Sequence, residues 1–382
     1  MRTAYSLGNL LKPRIQAELS AAALCSNFQV LSRQACGQGL LPMIKARAYG
    51  HGAEWAARQF LKLPQLYGVG VATLHEGGEL RKALGNQGRN LKIIVFSGCV
   101  PWNEEKGRYC QKHRLTPMLA SDLDWPLFVR EKWPEKLSYQ IKFNTGMNRL
   151  GMSLGMSQVI LRSLRGKSLK WYPEGICSHL AMGEDPAMHL SQLQRERFQM
   201  LRSEFSVLGP STRFHLANSS AIWNFKKWKL DDLTNVVRPG LALYGIPPWS
   251  GADRRGLTPV MTVKASVAQV QSIKKLESVG YGGTYVAKSA TRVAILSAGY
   301  ADGVHRMLSN QGKVWLGGRM RAILGTVSMD LSAVACGPGT QPGQWAELLG
   351  SNIDAWEQAK AAGTVPYELL TSLSDRVERI YG

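Results

Sequence analysis

The chain has 382 residues, 45% hydrophobic and 19% charged, with a formal net charge of +20. That length holds one large α/β domain and a smaller one, each burying its own core, and the absence of any run of about 18 apolar residues argues against a membrane span. The lysines and arginines are spread out, with no dense run and no zinc-finger or RNP-like motif, so the charge reads as a field for small anions or as solubility rather than as a nucleic-acid site.

The first residues, Met1 to Gly8, lack the apolar stretch and cleavage site of a secretory leader. Cys25, Cys36, Cys99, Cys110, Cys177 and Cys336 are scattered, with no pair at metal-ligand spacing. Reduced thiols, no metal and a cytoplasmic location are expected. Leu24, Phe28, Leu31 and Ala35 predict a helix over 21–36, ended by Gly37. A first strand is expected at 41–46, and further short apolar runs follow at 66–71, 91–96, 115–120, 139–143, 175–179, 213–217 and 241–244. Amphipathic segments separate them, among them 53–61, 76–84 and 189–205. Strand–helix alternation predicts a parallel sheet with right-handed crossovers. Eight such runs match a closed (β/α)8 barrel. An open doubly wound sheet is the alternative, weakened because no G-x-G-x-x-G follows the first strand.

Near Pro247-Pro248-Trp249 the pattern changes. The segment 260–273 alternates Val263, Ala265, Val267 and Gln269 with polar neighbours, and helical periodicity stays weak until about residue 355. The expected division is an α/β barrel domain over 1–250 that binds any cofactor, and a mainly β domain over 251–382.

A barrel carries its active site at the C-terminal ends of its strands, so the residues there matter most. Strand one delivers Lys45 and then Tyr49; strand five delivers Lys142 and Asn144 on one face, then Arg149; strand six delivers His179; strand seven ends in Asn218-Ser219-Ser220; and Arg238-Pro239-Gly240 precedes strand eight. A lysine at such a mouth can lose its proton by desolvation and act as nucleophile or base, although a solvated strand-end lysine is the ordinary reading. Ser219, Ser220 and Gly240 suit a phosphate, and Gly240 lets the backbone come close to it. Taken singly, His179 reads as a core histidine, Arg149 as an ion-pair residue and Ser219-Ser220 as a helix cap. Taken together, the set fits pyridoxal 5′-phosphate, with Lys45 bonding the cofactor and Arg238 facing its ring nitrogen.

Several longer blocks resemble one family. They are Lys45-Ala46-Arg47-Ala48-Tyr49-Gly50-His51-Gly52, Lys142-Phe143-Asn144-Thr145-Gly146-Met147-Asn148-Arg149-Leu150-Gly151, Ala217-Asn218-Ser219, Arg238 to Gly245, Tyr281-Gly282-Gly283-Thr284-Tyr285, Gly299-Tyr300-Ala301-Asp302-Gly303 and Ser328-Met329-Asp330. In order and over nearly the whole chain, they resemble the alanine racemase family. The resemblance implies a cofactor-dependent interconversion of L- and D-alanine that supplies D-alanine for peptidoglycan, in a homodimer whose sites are shared between subunits. Lys45 would be one base and Tyr281 of the partner subunit the other. Arg149, Met329 and Tyr300 would serve the substrate: Arg149 on its carboxylate side, Met329 at the carboxylate, Tyr300 along the way in. Tyr49, Ser219, Gly240, Leu241 and Tyr367 would hold the phosphate, with Asn218 beside Ser219, while His179 and Arg238 would sit by the ring. Lys142, carbamylated in many members, would orient Arg149.

Two bases suit the reaction, because a single group on one face would tend to return the proton to that face. Outside its glycine-rich block, Tyr281 would read as a cross-strand aromatic. The chain departs from the family at Asn144, where aspartate is usual, which bears on Lys142 and Arg149, and at Arg47, where asparagine is usual. Alternatives are a broad-specificity or serine racemase and a decarboxylase of the same fold. A cofactor-carrying barrel without activity would lack the second domain.

Overall fold

The computed structural model describes residues 14–131, 137–165 and 172–382; the opening segment read above for a leader lies outside them. Contacts divide the chain into two units, Leu24–Leu257 and the combination of Met1–Ala23 with Thr258–Gly382.

In the first unit, six parallel strands follow one another in chain order: Val69–Val71, Ile93–Val95, Thr116–Leu119, Gln140–Lys142, Gly175–Cys177 and Arg213–His215. A further parallel pair, Gly39–Leu40 with Val236–Val237, closes the ring. At one seam, Leu40 N–H donates to Gln65 O and Gly70 N–H to Pro42 O; at the other, Asn235 N–H donates to Phe214 O and Arg238 N–H to Ala217 O. With edges paired at both seams, the sheet is a barrel. Its interior is filled by buried Leu41, Ile94, Met118, Ala120, Cys177 and Val236. Helices Ala53–Phe60, Leu74–Leu84 and His189–Phe205 stand where the apolar periodicity places them.

The eighth strand differs from expectation. It is Val236–Val237, and residues 241–244 form a buried 3-10 turn between Gly240 and Gly245. Four apolar residues fit a buried turn as well as a buried strand. The shift has a chemical consequence, because Arg238-Pro239-Gly240 now follows the last strand and belongs to the C-terminal mouth.

The second unit is an antiparallel-rich sheet built on the long strand Met261–Ile273. Its alternating burial, from Met261 to Val267, gives it one core face. Partners change along its length: Ile15–Leu19 and Trp345–Leu349 pair with its first part, and Thr291–Leu296 with its second. A register shift interrupts two of these pairings, at Val263/Lys264 against Trp345–Leu349 and at Val267/Gln269 against Thr291–Leu296. The strand Ile15–Leu19 lies between Met261–Ile273 and Glu378–Tyr381. This part of the chain, placed above within the barrel domain over 1–250, is therefore a strand of the β unit, whose described members run on from Thr258.

Candidate active site

Lys45 does not end a strand. Pairing of the first strand runs out at Met43, and Lys45 opens a tight turn whose next residues, Ala46, Arg47, Ala48 and Tyr49, all have φ between 50° and 55°. Left-handed backbone at residues other than glycine costs roughly 1–2 kcal/mol each, so strong local bonds must hold this turn. Ala48 N–H donates to Ile44 O at 2.8 Å and Gly52 N–H to Arg47 O at 2.7 Å. His51, buried, sets Nδ1 against the carbonyls of Ala48 and Tyr49 at 3.0 and 2.9 Å, which fixes its proton on Nδ1. The Tyr244 ring packs on Tyr49 and His51, and its hydroxyl donates to Met43 O at 2.9 Å. Glu76 Oε1 accepts the Ala46 N–H at 2.8 Å. Lys45 is exposed at the mouth, yet its amine is pushed below the usual lysine range, by burial of the amine first and then by Arg149, with Glu76 opposing.

Across the mouth, the strand Gln140–Lys142 delivers buried Lys142, also pushed down by burial and by the cations Arg238, Arg149 and Lys45. The chain then loops through Asn144 to Arg149 and returns, with Met152 N–H donating to Lys142 O and Asn144 N–H to Met152 O. Asn144 Oδ1 accepts the amides of Gly146 and Asn148, both at 3.0 Å, and its Nδ2 donates to Asn148 Oδ1. A carboxylate could accept the same two amides, so the departure from aspartate alters charge while the turn carrying Arg149 is kept.

Arg238 is buried and pinned. Its Nη1 donates to His215 O at 2.6 Å and to His215 Nδ1 at 2.8 Å, and its Nη2 donates to the carbonyls of Ser178 and Leu216 at 2.6 and 3.0 Å. His179 Nδ1 lies 3.3 Å from the same nitrogen. Because a guanidinium only donates, His215 Nδ1 is an acceptor, and its Nε2–H donates to Gln140 Oε1 at 2.9 Å. Burial and then Arg238 hold His179 and His215 well below the usual histidine value, so both are neutral. Unfolded, each takes up a proton near pH 6.5; folded, neither does. The unfolded chain therefore binds more protons below that pH. As pH falls from about 7 toward 5, stability in urea should drop, by up to about 1.4 kcal/mol per pH unit for each histidine.

A cradle lies at the same mouth. Gly240 N–H donates to Ser219 Oγ at 2.8 Å, and a Cβ on Gly240 would stand 2.8 Å from the Tyr49 hydroxyl. Hydroxyls and amide thus surround a spot that only a glycine leaves open. Leu241 follows with its side chain buried. Asn218 is committed to the fold, its Oδ1 accepting Ala221 N–H and its Nδ2 donating to Leu180 O. Filling the cradle by Gly240→Ala should weaken binding of a phosphorylated ligand about 10- to 100-fold, the worth of one charge-assisted hydrogen bond, with the fold intact. Titration of the cofactor-free protein with pyridoxal 5′-phosphate measures this.

The β unit carries the other expected residues. Tyr281 stands in a turn with Gly280, Gly282 and Gly283 at positive φ and is 75% exposed. Tyr300 and Met329 are brought together by backbone bonds, Tyr300 N–H to Ser328 O and Ala301 N–H to Met329 O. Gly299 makes this possible, since a Cβ there would lie 2.3 Å from the Met329 carbonyl oxygen. Tyr367 lies on the short helix Pro366–Thr371. Glu76, His215 and Tyr244 were not singled out in the sequence. Only Glu76 left a signal there, as the last residue of the capping pattern Thr73-Leu74-His75-Glu76.

A parallel barrel with a lysine, a cationic mouth and an anion cradle at the C-terminal strand ends defines a barrel enzyme built for a phosphorylated carbonyl cofactor. Residues 19–248 match the alanine racemase N-terminal domain and residues 260–381 the alanine racemase C-terminal domain. An alanine racemase of Carboxydothermus hydrogenoformans is 35% identical over 96% of this chain and 99% of its own, and one of Deinococcus radiodurans is 33% identical over 97% and 99%. Among solved structures, the Streptomyces coelicolor alanine racemase has a TM-score of 0.86 at 30% identity, covering 96% of this chain and 98% of its own. The Bartonella henselae alanine racemase, with covalently bound pyridoxal phosphate, has a TM-score of 0.84 at 28% identity, covering 97% of this chain and 100% of its own. The chain belongs to the alanine racemase family, whose members are isomerases that use pyridoxal 5′-phosphate. Its own residues fit that group, with Lys45 exposed at the mouth and a cradle that a Cβ would fill.

Proposed function

We propose that the chain interconverts L- and D-alanine as a homodimer, with Lys45 of one subunit and Tyr281 of the partner subunit as the two bases. The observation that carries this reading is the convergence of the Lys45 amine, the Tyr49–Ser219–Gly240 cradle and the buried Arg238 on one mouth. Bound pyridoxal 5′-phosphate supplies the electron sink that makes the Cα proton of alanine removable. Lys45 would hold the cofactor covalently and would take or return a proton at Cα on its own face. Tyr49, Ser219 and the backbone at Gly240 and Leu241 would hold the phosphate, a role that the family resemblance also gives to Tyr367, and Asn218 braces the turn. Arg238 cannot give up its proton, so it would leave a ring nitrogen facing it unprotonated, and neutral His179 lies beside Arg238. Arg149 attracts the carboxylate of the amino acid, Met329 contacts it, and Tyr300 guards the way in.

Tyr281, Met329 and Leu331 are all exposed on the β unit, and Tyr281 and Leu331 line one open concavity with Thr326 and Ser328. Such an apolar rim suits burial against a second copy. Among the described residues no helix is long and apolar enough to cross a membrane, and the proposed setting is the cytoplasm, where D-alanine feeds peptidoglycan. The relatives do not favour a broad-specificity or serine racemase.

Lys142 is an amine whose burial favours the neutral form and which is ringed by Arg238, Arg149 and Lys45, conditions that favour capture of carbon dioxide as an anionic carbamate. On this reading the carbamate orients Arg149, with Asn144 leaving the site one negative charge poorer. Native mass spectrometry of the intact protein at mildly basic pH should find the added mass of carbon dioxide, absent in Lys142→Ala, and an unmodified mass would rule the carbamate out. For the activity as a whole, the purified protein should be yellow, and borohydride should fix the cofactor to Lys45. A colourless preparation that gains no colour with added pyridoxal phosphate overturns the reading.

A further inference from the structure

We propose that Glu76 is a positioning residue for Lys45: its carboxylate locks the first amide of the left-handed turn and supplies the negative charge that acts on the amine. The inference rests on Lys45 being the working amine. Glu76 lies in the first turn of helix Leu74–Leu84, where a capping box needs it only to accept the Thr73 amide. Here Oε2 takes both the Thr73 amide, at 3.1 Å, and the Ala72 amide, at 2.7 Å. That leaves Oε1 free to take the Ala46 amide at 2.8 Å. One side chain thus ties the loop after the first strand to the loop after the second. The bonded amide is that of the residue directly after Lys45, at the start of a run of unfavourable backbone that also aims Tyr49 at the cradle.

The charge matters as much as the tie. The groups acting on the Lys45 amine are Arg149 from the loop after Gln140–Lys142 and Glu76 from the first turn of helix Leu74–Leu84, with Lys142 and His179 also within its field. Arg149 disfavours a protonated Lys45 and Glu76 favours it. A racemase base has to hold the proton it removes before giving it back, so a mouth with cations alone would make Lys45 a poor proton carrier. A glutamine at 76 removes the anion. It also has only one acceptor oxygen for the amides of Ala46 on one side and Ala72 and Thr73 on the other, and its amine would face the remaining donors.

The test titrates Lys45 directly in the full-length chain freed of cofactor. Trace acetylation by acetic anhydride is followed across pH, and the peptide holding Lys45 is quantified by mass spectrometry. In Glu76→Gln the midpoint should move to lower pH by about half to one unit, and hydrogen exchange in the peptide spanning residues 44–50 should speed up about tenfold or more. Glu76→Asp, which keeps the charge on a shorter arm, should move the midpoint less while still loosening the turn. Thr73→Ala breaks the reciprocal helix cap, in which Thr73 Oγ1 accepts the Glu76 amide, and leaves the carboxylate in place; its Lys45 midpoint should match wild type. The proposal is overturned if Glu76→Gln titrates and exchanges as wild type does, or if Thr73→Ala alone reproduces its shift. Failure of the racemase reading is a separate result, seen as no cofactor on Lys45 of the wild-type chain after borohydride.

Discussion

Replacing Lys45 by alanine should abolish racemisation of both enantiomers. A proton-transfer group alone contributes roughly 10²- to 10⁴-fold in rate, and the same amine is the proposed covalent anchor of the cofactor, so the two losses combine. Initial rates from L-alanine and from D-alanine, followed by polarimetry, measure the effect; a variant keeping more than about a tenth of the wild-type rate would remove Lys45 from the mechanism. The pH dependence has a definite sign. Lys45 removes a proton only when neutral, and burial, then Arg149, lower the pH at which it becomes so. Activity should therefore rise with pH through an ionisation below the ordinary lysine range. Lys45→Arg should be as inactive as the alanine variant, because a guanidinium keeps its proton and forms no bond to the cofactor.

The second large effect is a recovery. Tyr281→Ala alone should lose most activity, and so should Lys45→Ala, yet a mixture of the two after subunit exchange should regain about a quarter of the wild-type rate. Half of the randomly re-paired dimers are mixed. In each of these, one site combines an intact Lys45 with an intact Tyr281, and the other has neither. Tyr281 is suited to this arrangement because its own unit leaves it 75% exposed on a rigid glycine turn, fastened by Thr326 Oγ1 donating to the Tyr281 carbonyl at 3.0 Å. If labelled subunits are seen to exchange and no rate returns, the site is not shared.

The two variants draw on features that differ in how far the sequence exposes them. Short apolar runs at regular spacing predict the barrel because a strand covered on both faces has to be apolar along its length. The alternation through Val263, Ala265 and Val267 predicts the β unit because one face of that strand meets a core and the other does not. The eighth strand escaped this logic. Val236–Val237 is too short to make a pattern, whereas the buried turn Leu241–Tyr244 imitates one. The strand Ile15–Leu19 was hidden for another reason: its partners, Met261–Ile273 and Glu378–Tyr381, lie at the far end of the chain.

At the site, the residue types and their order along the strand ends were legible in the sequence, and the family resemblance supplies the roles proposed for Lys45, Arg149, His179, Ser219 and Arg238. Three things were decided only by the tertiary structure. The turn after Lys45 is left-handed through four residues with no glycine among them to announce it. The proton positions on His51 and His215 are set by acceptors and by a guanidinium that the fold brings to them. Glu76 reaches the Ala46 amide from 30 residues away. The reason is the same in each case. Periodicity records which face of an element meets the core, a local property of the chain, whereas a hydrogen bond or a charge at a few ångströms depends on which loops the closed barrel sets side by side.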